Sequence, residues 1–105
     1  MVAVVTGGSR GIGLGITEIL LKNGFDVVVS SRNESEQIKN LMKDFPGKIS
    51  FVATDISDLK DIERLVSAVE IRYGKIDLLV NNAGVAPKER KDILEITPDD
   101  FDAVN

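Results

Sequence analysis

The stretch Val2-Ala3-Val4-Val5-Thr6-Gly7-Gly8-Ser9-Arg10-Gly11-Ile12-Gly13 decides the fold, because an apolar run stops abruptly in glycines and an amphipathic run follows at once. Short apolar runs bounded by glycine are typical of buried strands. The residues after the glycines repeat at helical spacing, and we expect one apolar face to carry Ile12, Ile16, Ile19 and Leu20. The stretch therefore predicts a strand, a tight turn and a helix.

The turn has the chemistry of an anion site. Gly7, Gly11 and Gly13 allow positive φ angles and a close approach of a ligand to the backbone. The free N–H groups at the start of the helix lie at the positive end of its dipole. We expect the turn to hold a phosphate, although some glycine turns only connect a strand to a helix. The spacing G-x-x-x-G-x-G differs from the general dinucleotide fingerprint G-x-G-x-x-G.

The composition is typical of one globular domain. The 105 residues are 43% hydrophobic and 29% charged, and the formal net charge of −4 argues against a nucleic-acid partner. Cys and His are absent, which excludes disulfides and Cys/His nucleophiles and favours a cytoplasmic protein. No run has the length of a membrane span or the pattern of a signal peptide, so no membrane partner is expected.

Strands and helices alternate along the chain. The first helix is expected to end at Lys22-Asn23-Gly24, and strands are predicted over 26–30, 49–53 and 76–80. A second helix is predicted from an Asn33 cap to Phe45, and a third from Ser57-Asp58 to Tyr73. A last helix is expected to begin at Thr97. Three acidic residues lie at its start, namely Asp99, Asp100 and Asp102. We interpret them as compensating the positive end of the helix dipole and not as metal ligands, so no metal site is predicted.

This alternation predicts an α/β fold: a doubly wound parallel (Rossmann) sheet with the strand order 3-2-1-4. The ligand crevice of such a sheet lies where the order reverses, between the first and fourth strands. No later strand is evident in the sequence. We therefore expect the outer edge of the fourth strand to be unpaired and to favour self-association.

Two motifs together resemble the short-chain dehydrogenase/reductase family. Thr6-Gly7-Gly8-Ser9-Arg10-Gly11-Ile12-Gly13 is similar to the family's T-G-x-x-x-G-x-G, and Asn81-Asn82-Ala83-Gly84 is similar to its N-N-A-G. Between them, Asp55-Ile56 resembles the family's pair of an Asp and an aliphatic residue. The resemblance covers the whole chain, and it implies an oxidoreductase that transfers a hydride between a nicotinamide cofactor and a small carbonyl or alcohol substrate.

The resemblance also implies roles for individual residues. The glycine turn would line the pyrophosphate, and the cofactor residues there are Gly7, Ser9, Arg10, Gly11, Ile12 and Gly13. Asp55 and Ile56 would contact the adenine ring, although an Asx turn at Asp55 is an open alternative. Asn81, Ala83 and Gly84 would pass the adenine-side ribose and steady the sheet, and the two asparagines could also satisfy backbone groups there.

The catalytic part of the family pattern is almost absent. Asn105 aligns with the Asn of the family's Asn-Ser-Tyr-Lys tetrad, which helps to hold a proton-relay water. The sequence contains one tyrosine, Tyr73, and no Lys stands four residues after it. We therefore expect residues 1–105 to be a single NAD(P)-binding domain cut before the catalytic Ser and the Tyr-x-x-x-Lys pair, and to be inactive alone.

The end of the second strand indicates the cofactor. An enzyme that prefers NAD usually carries an acid there for the ribose 2′-OH, whereas Ser30-Ser31-Arg32 has none. Arg10 and Arg32 could instead bind a 2′-phosphate, which favours NADP over NAD, unless both are simply solvated.

Two further function classes stay open. A non-catalytic dinucleotide-binding or regulatory module would suit the missing Tyr and Lys. A methyltransferase that binds an adenosine cofactor on the same sheet would need an acid after the second strand, and Arg32 argues against it. For the oxidoreductase we also expect a homo-oligomer.

Overall fold

The fold is a parallel sheet with helices on both faces, which confirms the predicted doubly wound architecture. The computed structural model describes residues 1–9, 11–55 and 58–82, together with the backbone of 94–96. In chain order the elements are β1 (Val2–Thr6), α1 (Gly11–Lys22), β2 (Asp26–Ser31), α2 (Glu36–Asp44), β3 (Ile49–Ala53), α3 (Leu59–Tyr73), β4 (Leu78–Asn81) and β5 (Leu94–Ile96).

The strand order is β3-β2-β1-β4-β5, so the predicted order 3-2-1-4 is correct. The expectation of an unpaired outer edge on β4 is wrong. β5 pairs with β4 in parallel, with Leu78 opposite Leu94 and Val80 opposite Ile96. The sequence pattern missed β5 because its three residues follow a stretch rich in Lys and Glu.

The sheet is buried from both sides, which explains the continuous apolar character of β1 and β2. One apolar layer lies between the sheet and helices α1 and α2, and Ala3 and Val5 of β1 contribute to it. The other layer lies against α3, with Val2 and Val4 from the same strand. All five residues of β1 are buried, so the strand that precedes the glycine turn is fixed in the core.

The buried face of α1 agrees with the prediction at two of four positions. Ile16 and Leu20 face the sheet as predicted, whereas Ile12 and Ile19 are each 59% exposed. The other residues that face the sheet are Gly13, Thr17 and Leu21. These positions follow the same helical spacing but include two small residues, which a search for large apolar side chains does not find.

The start of α2 also differs from the prediction. The N-cap is Ser35 and not Asn33, because the Ser35 hydroxyl accepts a hydrogen bond from the backbone N–H of Ile38 at 3.2 Å. The helix ends at Asp44, one residue before the expected Phe45. α3 is as predicted at its ends, with Asp58 as the N-cap and Gly74 in the left-handed conformation after Tyr73.

No helix in the described part of the chain is long and apolar enough to cross a membrane.

Asp77 joins the starts of β1 and β4 with a carboxylate that should make stability depend on pH. The Val2 N–H donates to Asp77 Oδ2 at 2.7 Å, and Lys75 Nζ lies 3.5 Å from the same oxygen. The hydrogen bond from Val2 lowers the pKa of Asp77, with the Lys75 charge as a smaller contribution. A carboxylate with a lowered folded-state pKa stabilises the fold above its unfolded-state pKa, and this contribution is lost as pH falls through the folded-state value.

We therefore expect stability to fall when the pH drops below about 4, and Asp77→Asn to flatten this dependence. Urea unfolding between pH 7 and pH 3 measures it. Asp44→Asn, which neutralises an exposed carboxylate at the end of α2, is the matched control. An unchanged slope in Asp77→Asn together with a flatter one in Asp44→Asn would contradict the assignment.

Candidate functional site

The candidate site lies at the carboxyl ends of β1, β2 and β4. β1 stands between β2 and β4 in the sheet, and the chain reverses its direction of winding between β1 and β4. Ligands of doubly wound sheets bind outside the strand ends at this switch point. Gly7 follows β1 there, Arg32 follows β2, and Asn82 follows β4.

The glycine turn needs glycine for its backbone geometry at two positions. Gly7 has φ 67° and Gly11 has φ 62°, in the left-handed region that other residues rarely adopt. The Gly7 N–H donates to the Ser30 carbonyl at 2.6 Å, which fixes the start of the turn to β2. The turn is therefore held beside the strand end in a conformation that a side chain at either glycine would strain.

Gly13 is required for a different reason, namely close packing within the chain. A Cβ atom at Gly13 would collide with the Gly7 carbonyl oxygen and would lie 2.8 Å from Asn82 Nδ2. Asn82 Nδ2 itself donates to the Gly7 carbonyl at 3.0 Å. The first turn of α1 thus lies directly under the glycine turn, and the loop after β4 locks it there.

The two asparagines after β4 tie this strand to β1. Asn81 is buried, and its Oδ1 accepts a hydrogen bond from the Thr6 hydroxyl at 3.3 Å. Asn82 reaches the glycine turn as described above. Both side chains satisfy neighbouring polar groups, so they stabilise the floor of the site whether or not they also contact a ligand.

An open cavity of about 820 Å³ begins at the glycine turn and extends along the end of β2. It is lined by Gly7, Ser9, Ser31, Arg32, Asn33, Glu34, Ser35 and Gln37. Of these, Gly7, Ser9 and Arg32 are predicted cofactor residues. The cavity joins the glycine turn to the end of a strand, which is where doubly wound sheets bind their ligands.

Arg32 and Asp55, two of the predicted cofactor residues, form an ion pair beside this cavity. Arg32 Nη2 lies 3.3 Å from Asp55 Oδ1, with the side chains 67% and 51% exposed. Such exposed pairs contribute about 0–1 kcal/mol, so a ligand phosphate can compete for the arginine. The backbone N–H of Asp55 also donates to Asp61 Oδ2 at 3.0 Å, which holds the loop after β3 against α3.

The remaining predicted residues are distributed as follows. Ser9 is buried in the turn, and Ile12 is exposed at the start of α1. Arg10, Ile56, Ala83, Gly84 and Asn105 lie outside the described residues, as does the predicted helix from Thr97. Within the ranges that the structure describes, no group of three or more acidic residues could hold a metal ion.

Tyr73 lies away from the candidate site. Its hydroxyl is 3.3 Å from Ser50 Oγ, near the amino end of β3, and its ring contacts the apolar layer under α3. The glycine turn is at the opposite, carboxyl edge of the sheet. Tyr73 therefore has no access to a ligand bound there.

Sequence reasoning missed five residues of the cavity, namely Ser31, Asn33, Glu34, Ser35 and Gln37. Ser35 does not match the capping-box pattern, because the third residue after it is Ile38 and not Glu or Gln. Asn33 does match this pattern, because Glu36 stands three residues after it. The usable signal was that Ser, like Asn, is a preferred N-cap.

The chain matches the family model described as short chain dehydrogenase over residues 1–105. It belongs to the short-chain dehydrogenase family. Among curated short-chain dehydrogenases and related oxidoreductases, it is 36% identical over 102 residues to the putative oxidoreductase YtkK of Bacillus subtilis, covering 94% of this chain and 40% of that protein. It is 36% identical over 103 residues to the 3-oxoacyl-[acyl-carrier-protein] reductase FabG of Chlamydia pneumoniae, and the match covers 96% of this chain and 41% of that reductase.

Solved structures of short-chain dehydrogenases agree with the fold. The chain superposes on a 3-oxoacyl-[acyl carrier protein] reductase from Brucella melitensis with a TM-score of 0.70 and 44% identity, covering 98% of this chain and 42% of that one. An actinorhodin polyketide ketoreductase variant solved with NADPH gives a TM-score of 0.67 and 42% identity, and the match covers 79% of this chain and 33% of the ketoreductase chain. The chain thus spans about 40% of the length of these curated relatives.

Proposed function

We propose that this chain is the dinucleotide-binding part of an NADP-dependent short-chain dehydrogenase, which transfers a hydride between the nicotinamide and a small carbonyl or alcohol substrate. Residues 1–105 then form a single NAD(P)-binding domain of a cytoplasmic homo-oligomer. Within this proposal, the family's catalytic Ser and Tyr-x-x-x-Lys pair are supplied by residues outside the sequence described here.

The observation that carries the NADP preference is the cavity at the end of β2, which Arg32 lines. The strand ends in Ser30-Ser31, so no acid stands directly before Arg32 to accept hydrogen bonds from a ribose 2′-OH. A guanidinium binds phosphate through two parallel hydrogen bonds. Glu34 also lines the cavity but is exposed and lies two residues further on.

The pyrophosphate is assigned to the glycine turn and the start of α1. Support comes from the positive φ angles of Gly7 and Gly11 and from the close packing of Gly13. Asp55 and the residues Arg10, Ile12, Ile56, Ala83 and Gly84 complete the proposed cofactor site, and Asn105 is the proposed catalytic residue. The NADPH in the actinorhodin ketoreductase structure is consistent with a phosphorylated cofactor here.

Titration with both reduced cofactors tests the proposal. We expect NADPH to bind at least tenfold more tightly than NADH, which corresponds to about 1.4 kcal/mol. Cofactor fluorescence measures both affinities. Equal affinities would contradict the NADP preference, and binding of neither cofactor would contradict the dinucleotide function.

A non-catalytic dinucleotide-binding module is the second candidate. Within this candidate, Tyr73 is a structural residue at the end of α3, and its ring packs against the apolar layer between that helix and the sheet. Hydride transfer by the native polypeptide with a panel of small carbonyl compounds separates the two candidates. Tight NADPH binding without any oxidation of NADPH would favour the module.

A further inference from the structure

Three serines join the glycine turn to α2 through a chain of hydrogen bonds. Ser35 Oγ donates to the Ser9 carbonyl at 2.6 Å, across 26 residues of sequence. Ser9 Oγ and Ser31 Oγ are 2.5 Å apart. Ser31 Oγ also donates to the Asn33 carbonyl at 2.8 Å. The turn, the end of β2 and the start of α2 are thereby connected.

The single proton of each hydroxyl fixes the direction of every bond in this chain. The Ser31 proton is used on the Asn33 carbonyl, so Ser9 must donate to Ser31. The Ser35 proton is used on the Ser9 carbonyl, while a lone pair of Ser35 Oγ accepts the Ile38 N–H. Ser35 therefore makes two hydrogen bonds with one hydroxyl: it caps α2 at the Ile38 N–H and holds the glycine turn at the Ser9 carbonyl.

We propose that Ser35 is a positioning residue for dinucleotide binding: it holds the glycine turn through the Ser9 carbonyl and so sets the affinity for the pyrophosphate. This role rests on the proposed function, because the affinity that it sets is the one for the dinucleotide. Ser9 is 5% exposed and its own hydroxyl bonds to Ser31 of β2, so among the hydrogen bonds of the described residues the one from Ser35 holds this segment from the α2 side. Without the Ser35 hydroxyl the Ser9 carbonyl loses this hydrogen bond, and the turn relaxes towards other conformations.

The role can be separated from simple helix capping by three substitutions at one position. Ser35→Thr keeps a hydroxyl, so it retains both the cap and the bond to Ser9. Ser35→Ala removes both. Ser35→Gly removes the bond to Ser9 but remains an acceptable N-cap, since replacing an N-cap serine by glycine reduces helix stability only slightly.

The first measurement is the affinity of the full chain for NADPH and NADH by fluorescence titration. We expect Ser35→Gly and Ser35→Ala to weaken the binding of both cofactors by a similar factor of about ten, because the turn binds the pyrophosphate that NADPH and NADH share. Ser35→Thr should bind both cofactors as tightly as the original chain. Weak binding by Ser35→Ala with normal binding by Ser35→Gly would reduce Ser35 to a helix cap. Loss of NADPH affinity alone would mean that Ser35 contacts the 2′-phosphate directly, and would overturn the positioning role.

The second measurement needs no ligand, so it stands even if the proposed function fails. The Gly7 N–H is bonded to the Ser30 carbonyl, and its hydrogen exchange reports opening of the turn. We expect this amide to exchange about tenfold faster in Ser35→Gly than in Ser35→Thr. Equal rates in the two variants would show that Ser35 does not hold the turn, whereas binding of neither cofactor by the original chain together with unequal rates would overturn the proposed function and leave Ser35 as a residue that only holds the turn.

Discussion

Gly13→Ala should destabilise the protein by about 1–3 kcal/mol and abolish dinucleotide binding, although it adds only one methyl group. The added Cβ would collide with the Gly7 carbonyl oxygen and lie 2.8 Å from Asn82 Nδ2. Neither neighbour can move away easily, because Asn82 bonds to that carbonyl and the Gly7 N–H is bonded to β2. The strain is relieved only by lifting the turn off α1, which displaces the N–H groups that would face the phosphates.

Gly15→Ala is the matched control on the same helix. Apart from the backbone of its own helix, no atom of the described residues lies within 4 Å of a Cβ at Gly15, and its φ angle is not positive. Alanine is a better helix former than glycine, so this variant should be about 0.5–1 kcal/mol more stable and should bind NADPH normally. Urea unfolding and fluorescence titration measure both variants. A Gly13→Ala protein as stable as the original chain would show that the turn and α1 are not in contact.

The fold could be predicted from the sequence because its signals are local and mutually consistent. Apolar runs such as 2–5 and 27–29 end at polar residues, and a helical pattern separates them. A buried parallel strand and its crossover helix leave few alternative arrangements. The strand order 3-2-1-4 and the glycine turn after β1 therefore followed from pattern alone and are confirmed.

The contacts that shape the site could not be predicted, because they depend on residues far apart in sequence. The collision that excludes a side chain at Gly13 involves Asn82, and the bond between Ser35 and Ser9 spans 26 positions. The choice of which α1 residues face the sheet also depends on packing against distant parts of the chain. Small residues such as Thr17 face the sheet because the helix packs closely there, and this leaves Ile12 and Ile19 exposed.

Arg32→Asp should reverse the preference between the two cofactors. The substitution replaces a cation at the edge of the cavity with a carboxylate that repels the 2′-phosphate and can accept hydrogen bonds from the ribose hydroxyls of NADH. Charged hydrogen bonds contribute about 1.5–3 kcal/mol, and the 67% exposure of the Arg32 side chain reduces this. We expect NADPH affinity to fall about tenfold or more, with NADH affinity unchanged or higher.

Two neutral variants separate the charge of Arg32 from its other effects. Arg32→Gln removes the cation without adding a carboxylate, so it should lose most of the NADPH preference without gaining affinity for NADH. Glu34→Gln removes an acid that lines the same cavity, and it should strengthen NADPH binding slightly. Glu34→Gln conserves the shape of the side chain and limits the change to electrostatics, whereas Arg32→Gln also shortens the side chain and removes the guanidinium fork.

Salt dependence provides the decisive comparison, because the charges involved are exposed to solvent. Raising the salt concentration from 0.05 to about 0.5 M shortens the screening length and should weaken NADPH binding to the original chain more than NADH binding. In Arg32→Gln the two cofactors should respond to salt alike. If NADPH keeps its advantage and its salt response in Arg32→Gln, the 2′-phosphate is bound elsewhere, and the ion pair of Arg32 with Asp55 is only a surface contact that holds the loop after β3.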